Sequence, residues 1–78
     1  MTPSAQLLLH ERELLVADAL ARLPADYREV ILLRNLQGLP FEDVARRLNR
    51  SRPATQMLWM RALRTLQALL EADFSGSN

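Results

Sequence analysis

Apolar residues recur at steps of three and four along most of the chain, the spacing that gives a helix one buried face. Between residues 4 and 22, Leu9, Val16, Leu20 and Leu23 form such a stripe, and Ser4 is placed to cap the helix. Leu7, Leu8, Leu14 and Leu15 lie outside that stripe and add apolar surface to other faces of the same helix. Pro24 closes this element and opens the next. The second helix is expected from Ala25 to Leu36, with Tyr27, Val30, Leu33 and Leu36 inward and with Asp26 and Glu29 near its N-terminus, where the helix dipole favours negative charge. "NLQGL" ends it: Gly38 can take the left-handed conformation and Leu39 can fold back.

Pro40 starts a third helix, with Glu42 and Asp43 in its first turn and Phe41, Val44, Ala45 and Leu48 facing inward. "NRSRP" is a turn. Asn49 is among the few residues other than glycine that tolerate positive φ, Ser51 is a good N-cap, and Pro53 fits a first helical turn. The fourth helix begins at Arg52 or Pro53 and runs to about Ala72, with Thr55, Leu58, Trp59, Ala62, Leu66 and Leu69 on one face. The result is an all-α, four-helix domain with a C-terminal helix-turn-helix. Ala45 sits where the third and fourth helices cross, Asn49 where the chain reverses, and Thr55 and Leu58 where the fourth helix meets the third. The expected organisation is an N-terminal extension over residues 1–15, the helix-turn-helix domain over 16–72 and a frayed tail over 73–78.

Composition narrows the classes. Seventy-eight residues suffice for one small domain, and a 49% hydrophobic content excludes a disordered tail. Cysteine is absent and there is a single His, His10, read as solvated. There is no Gly-rich phosphate loop, so neither an enzyme, a cofactor nor a metal site is expected. No basic region precedes an apolar stretch at the N-terminus and no apolar run approaches the roughly 20 residues that span a bilayer. A cytoplasmic protein with no membrane partner is expected.

Charge is more informative. The net charge is +1, and all ten basic residues are Arg. Residues 44–70 hold six of them (Arg46, Arg47, Arg50, Arg52, Arg61 and Arg64) and no acid, whereas residues 1–43 hold four Arg against seven acids. Such segregation is the footprint of a nucleic-acid face. A solvated Arg-rich helix pair would give the same composition.

The segments "LARLPADYREVILLR", "GLPFEDVARRL" and "RALRTL" resemble region 4 of bacterial sigma factors, above all the extracytoplasmic-function group, over roughly residues 16–68. The resemblance implies a four-helix domain that binds double-stranded promoter DNA at the −35 element, grips the flap of the RNA polymerase β subunit and is a target of anti-sigma factors. It places base contacts on Arg52, Gln56, Met57 and Met60. The backbone-contacting set is Arg46, Arg47, Arg50, Ser51, Arg61 and Arg64. Family members usually carry Gly at Asn49, an aliphatic residue at Arg50, a basic one at Gln56, and Ser or Gln at Met57. Pro53 cannot read a base edge.

Direct readout is therefore thin. Gln56 can pair bidentately with adenine and Arg52 with guanine, whereas Met57 and Met60 offer only apolar contact, such as to a thymine methyl. Two functions follow: a promoter-recognition domain directing RNA polymerase to a −35-type element, or a protein-interaction module of the same fold that binds polymerase or an anti-sigma regulator without reading DNA. Met57 and Met60 would then be an adaptable protein-binding surface. Trp59 is assigned to the core in preference to base stacking. Leu7, Leu8, Leu14 and Leu15 are the expected protein interface, for the β flap or for a weak homodimer.

Overall fold

A computed structural model describes the backbone of residues 3–75 and the side chains of residues 10–73. The chain forms four helices: α1 (Pro3–Arg22), α2 (Ala25–Ile31), α3 (Phe41–Leu48) and α4 (Arg52–Ser75). A single π-helical turn, Leu32–Leu36, continues α2. α4 is the spine, packed against α1, α2 and α3. Buried residues from every helix meet along it: Ala19 and Leu23, then Val30, Ile31 and Leu33, then Val44 and Ala45, then Leu58 and Ala62. The radius of gyration is 14.6 Å, against the about 11.5 Å of a compact chain this long. The molecule is correspondingly elongated, with principal extents of 44 × 27 × 15 Å.

Each boundary has a local cause. Pro40 and Pro24 occupy N-cap positions with extended ψ of 155° and 149°, the geometry in which proline's fixed φ leads into a helix without a donor being missed. At the end of α3 the chain makes a Schellman motif: Asn49 is left-handed (φ 56°, ψ 46°), its N–H donates to Arg46 C=O (3.3 Å), and the Arg50 N–H donates to Ala45 C=O (3.0 Å). Ser51 caps α4, its Oγ accepting from the Ala54 N–H at 3.2 Å. The Ser51 carbonyl accepts both the Thr55 N–H (2.9 Å) and the Thr55 hydroxyl (2.8 Å), which satisfies the one fully buried polar side chain among the described residues. α4 begins at Arg52 and runs to Ser75, three residues past its expected end. α1 is continuous through residues 15 and 16.

Two core expectations are corrected. Val16 is 37% exposed, and Ala19 is buried in its place. Helices approach closely over a small side chain, and Ala19 supplies it. Leu36, expected in the core, is 70% exposed. The cause is the π turn, in which Gln37 N–H donates to Leu32 C=O at 3.0 Å. One extra residue in the turn takes the chain after Leu33 out of α-helical register. Gly38 (φ +70°) then reverses the chain, Leu39 N–H donates to Leu33 C=O (3.1 Å), and Leu39 packs on the core as expected. α1 begins at Pro3, one residue ahead of the expected Ser4 cap. The side chains of Ser4, Leu7, Leu8 and Leu9, and the end of the tail, lie outside the described residues.

Candidate nucleic-acid interface

The helix-turn-helix is built by α3, the turn Asn49–Ser51 and the N-terminal half of α4. α3 is strongly amphipathic: Val44 and Ala45 are buried against the core while Arg46 and Arg47 face solvent. Thr55, Leu58 and Ala62 fix which side of α4 is buried. At 3.6 residues per turn the opposite side carries Pro53, Met57, Met60 and Arg64, with Arg52 and Gln56 along one edge and Arg61 along the other. Met57 is 52% and Met60 45% exposed. Arg52, Arg61 and Arg64 are exposed and Gln56 is half-buried.

The arginines are not equivalent. Arg46 pairs with Asp43 one turn earlier on α3 (3.6 Å), and Arg50 reaches Asp26 at the start of α2 (3.6 Å), tying the turn to the second helix. Both pairs are solvated and weak. Among the described residues, Arg47, Arg52, Arg61 and Arg64 have no acidic partner. Three of these unneutralised guanidinium groups belong to the exposed side of α4 and its edges, and the fourth, Arg47, to the exposed side of α3, with no acid between residues 44 and 70 to offset them.

The sequence reading gave Arg34 and Asn35 no role, yet they orient this face. The Arg34 guanidinium lies 4.4 Å over the Phe41 ring and its Nη1 donates to Leu39 C=O at 2.9 Å. Phe41 meets Trp59 edge to face (centroids 5.4 Å, 76°), and Trp59 Nε1 donates to Asn35 Oδ1 at 2.8 Å. The π turn therefore grips α3 through Phe41 and α4 through Trp59. Trp59 packs against the core, as expected, and its indole nitrogen is engaged by Asn35. The signal in the sequence was Arg34-Asn35 just before the Gly38 turn, but its partners lie 7 and 24 residues ahead.

Residues 13–66 match the family model for sigma-70 region 4. The chain belongs to the sigma-70 region 4 family. It is similar to the ECF RNA polymerase sigma-E factor of Haemophilus influenzae, with 43% identity over 44 residues that cover 56% of this chain and 23% of that protein. Its fold is similar to a chain of the RsbN–BldN complex, with a TM-score of 0.72 and 34% identity over 83% of this chain and 47% of that one. This region 4 chain thus spans about a quarter of the curated relative and about half of the matched structure.

A second surface lies away from the helix-turn-helix. Arg12, Glu13, Val16, Ala17 and Leu20 of α1 face Leu36 of the π turn across an open, mainly apolar groove. Leu14, on the expected protein interface, is 56% exposed and Leu15 is half-buried. Among the described residues, no helix is long and apolar enough to cross a membrane, and no group of three or more His or acidic residues could hold a metal ion.

Proposed function

We propose that this region 4 domain binds promoter DNA of the −35 type and so directs RNA polymerase in the cytoplasm. The carrying observation is the set of exposed arginines with no acidic partner among the described residues, Arg47 on α3 and Arg52, Arg61 and Arg64 on α4, the last three on or at the edges of the exposed face of a capped helix that leaves a helix-turn-helix turn. In this reading α4 lies in the major groove. Arg52, Gln56, Met57 and Met60 face base edges, while Arg46, Arg47, Arg50, Ser51, Arg61 and Arg64 face phosphates. Neutralising a phosphate releases condensed counterions, so log affinity falls with log salt by about 0.9 per phosphate contacted. Fluorescence anisotropy on a labelled duplex across a salt series is the test. Arg47→Ala and Arg61→Ala should each flatten the slope by about 1. Affinity independent of salt would sink the proposal.

A protein-binding role rests on a separate observation, the mainly apolar groove between α1 and the exposed Leu36. Apolar surface of this kind marks partner sites, and the β flap of RNA polymerase or an anti-sigma factor is the proposed occupant. That the matched structure is a complex of two proteins supports this reading. Leu36→Glu should weaken capture of core RNA polymerase at least tenfold while leaving the duplex salt slope unchanged. Equal capture by wild type and variant counts against the groove.

A further inference from the structure

The first two turns of the exposed face of α4 offer almost no hydrogen-bonding side chain. Pro53, Met57 and Met60 follow one another on it at spacings of four and three, Gln56 beside them is half-buried, and the guanidinium groups stand at the edges, at Arg52 and Arg61, and past the end of the strip, at Arg64. An apolar strip inside a cationic frame limits the occupant. A frame with no acid between residues 44 and 70 favours a polyanion, and the strip itself must meet something apolar.

In the major groove the C5-methyl of thymine is the apolar group on an otherwise polar edge. A Met placed against the amino group of adenine or cytosine would instead desolvate a donor and leave it without a partner. The thioether chain is unbranched and adapts to the position of a methyl as a stiffer side chain would not. We infer that Met57 and Met60 make α4 a reader of thymine methyl groups, so that its sequence preference rests on apolar contact more than on hydrogen bonds. This inference depends on the DNA-binding reading given above.

The test removes the methyl and nothing else. A preferred site is first selected from randomised duplexes by the 78-residue chain at low salt. It is then resynthesised with deoxyuridine replacing each thymine in turn. Base pairing and the pattern of donors and acceptors are preserved. At one or two positions the substitution should lower affinity about fourfold, the effect of exposing one buried methyl. Met57→Ala or Met60→Ala should abolish the difference at one of those positions with the salt slope retained, which also controls for any change in the duplex itself. Met60→Leu should keep it. Both residues are exposed, so the variants are expected to fold, and circular dichroism confirms it. Equal affinity of the wild-type chain for the thymine and uracil forms of its site overturns the inference and leaves DNA binding standing. So does a selection that enriches no thymine-containing site. Failure to bind any duplex at low salt overturns the proposed function, and this inference with it.

Discussion

Arg34 should contribute more to stability than any other charged residue in the fold. Its guanidinium makes a charge-assisted bond to the Leu39 carbonyl (2.9 Å) and covers the Phe41 ring at 4.4 Å. A hydrogen bond from a charged donor is worth about 1.5–3 kcal/mol, and a cation over an aromatic face about 0.5–2 kcal/mol. Arg34 is only half-buried, so the lower ends apply, and about 2 kcal/mol is expected to be lost in Arg34→Met, which retains most of the apolar stem. A chain of this size has roughly 4–12 kcal/mol of stability in all. With a urea dependence of about 1 kcal/mol per molar for a small domain, the midpoint should fall by about 2 M. Trp59 is the single tryptophan and meets Phe41 edge to face, so its fluorescence reports this cluster directly, while circular dichroism reports the helices. The two curves should coincide if the cluster unfolds with the rest. Arg34→Lys can satisfy either the carbonyl or the ring but not both, and should recover about half the loss. A midpoint shift below about 0.3 M for Arg34→Met would refute the assignment.

Two backbone positions give further predictions. Gly38→Ala should cost about 1 kcal/mol, because φ is +70° and a new Cβ would meet no atom within 4 Å, so the whole cost lies in the left-handed backbone; Gly38→Asn should cost clearly less, and equal thermal melting of the two variants would contradict this. Asn49→Gly, at φ 56°, should raise stability by a few tenths of a kcal/mol by relieving the same strain at the end of α3, and a lowered melting temperature would show that the Asn side chain has a role the turn geometry does not reveal.

Helices, the Ser51 cap and the two left-handed residues were legible because each depends on neighbours within four residues. Ser51, Asn49, Gly38, Pro24 and Pro40 act locally, and the structure uses each as expected. The misplaced residues depended on longer distances or on size instead of polarity. A hydrophobic stripe weights large side chains, so Val16 drew the inward assignment, whereas close approach of α1 to the core needed the smaller Ala19. "LLRNL" satisfies an α-helical period as well as a π turn does, and nothing within those five residues distinguishes the two. What does is the demand of Phe41 and Trp59 on Arg34 and Asn35, which exists only once the chain has folded.

The same division separates the arginines. Their concentration after Val44 is a one-dimensional fact and was legible, but which of them remain available for an anion is not. Asp43 lies one helical turn from Arg46, a pairing the sequence permits, while Asp26 meets Arg50 across 24 positions of chain. Arg50 stands where an aliphatic residue is usual in region 4, and its pairing with Asp26 fastens the turn to α2, so its charge is partly committed to the fold. Arg52 and Arg61 flank the Met57–Met60 strip with no such commitment. A cation already offset by a carboxylate releases fewer counterions when it meets a phosphate. The salt dependence of binding should therefore be carried more by the unpaired Arg47, Arg61 and Arg64 than by Arg46 and Arg50, whose weak, solvated pairs with Asp43 and Asp26 must be given up as each guanidinium meets a phosphate.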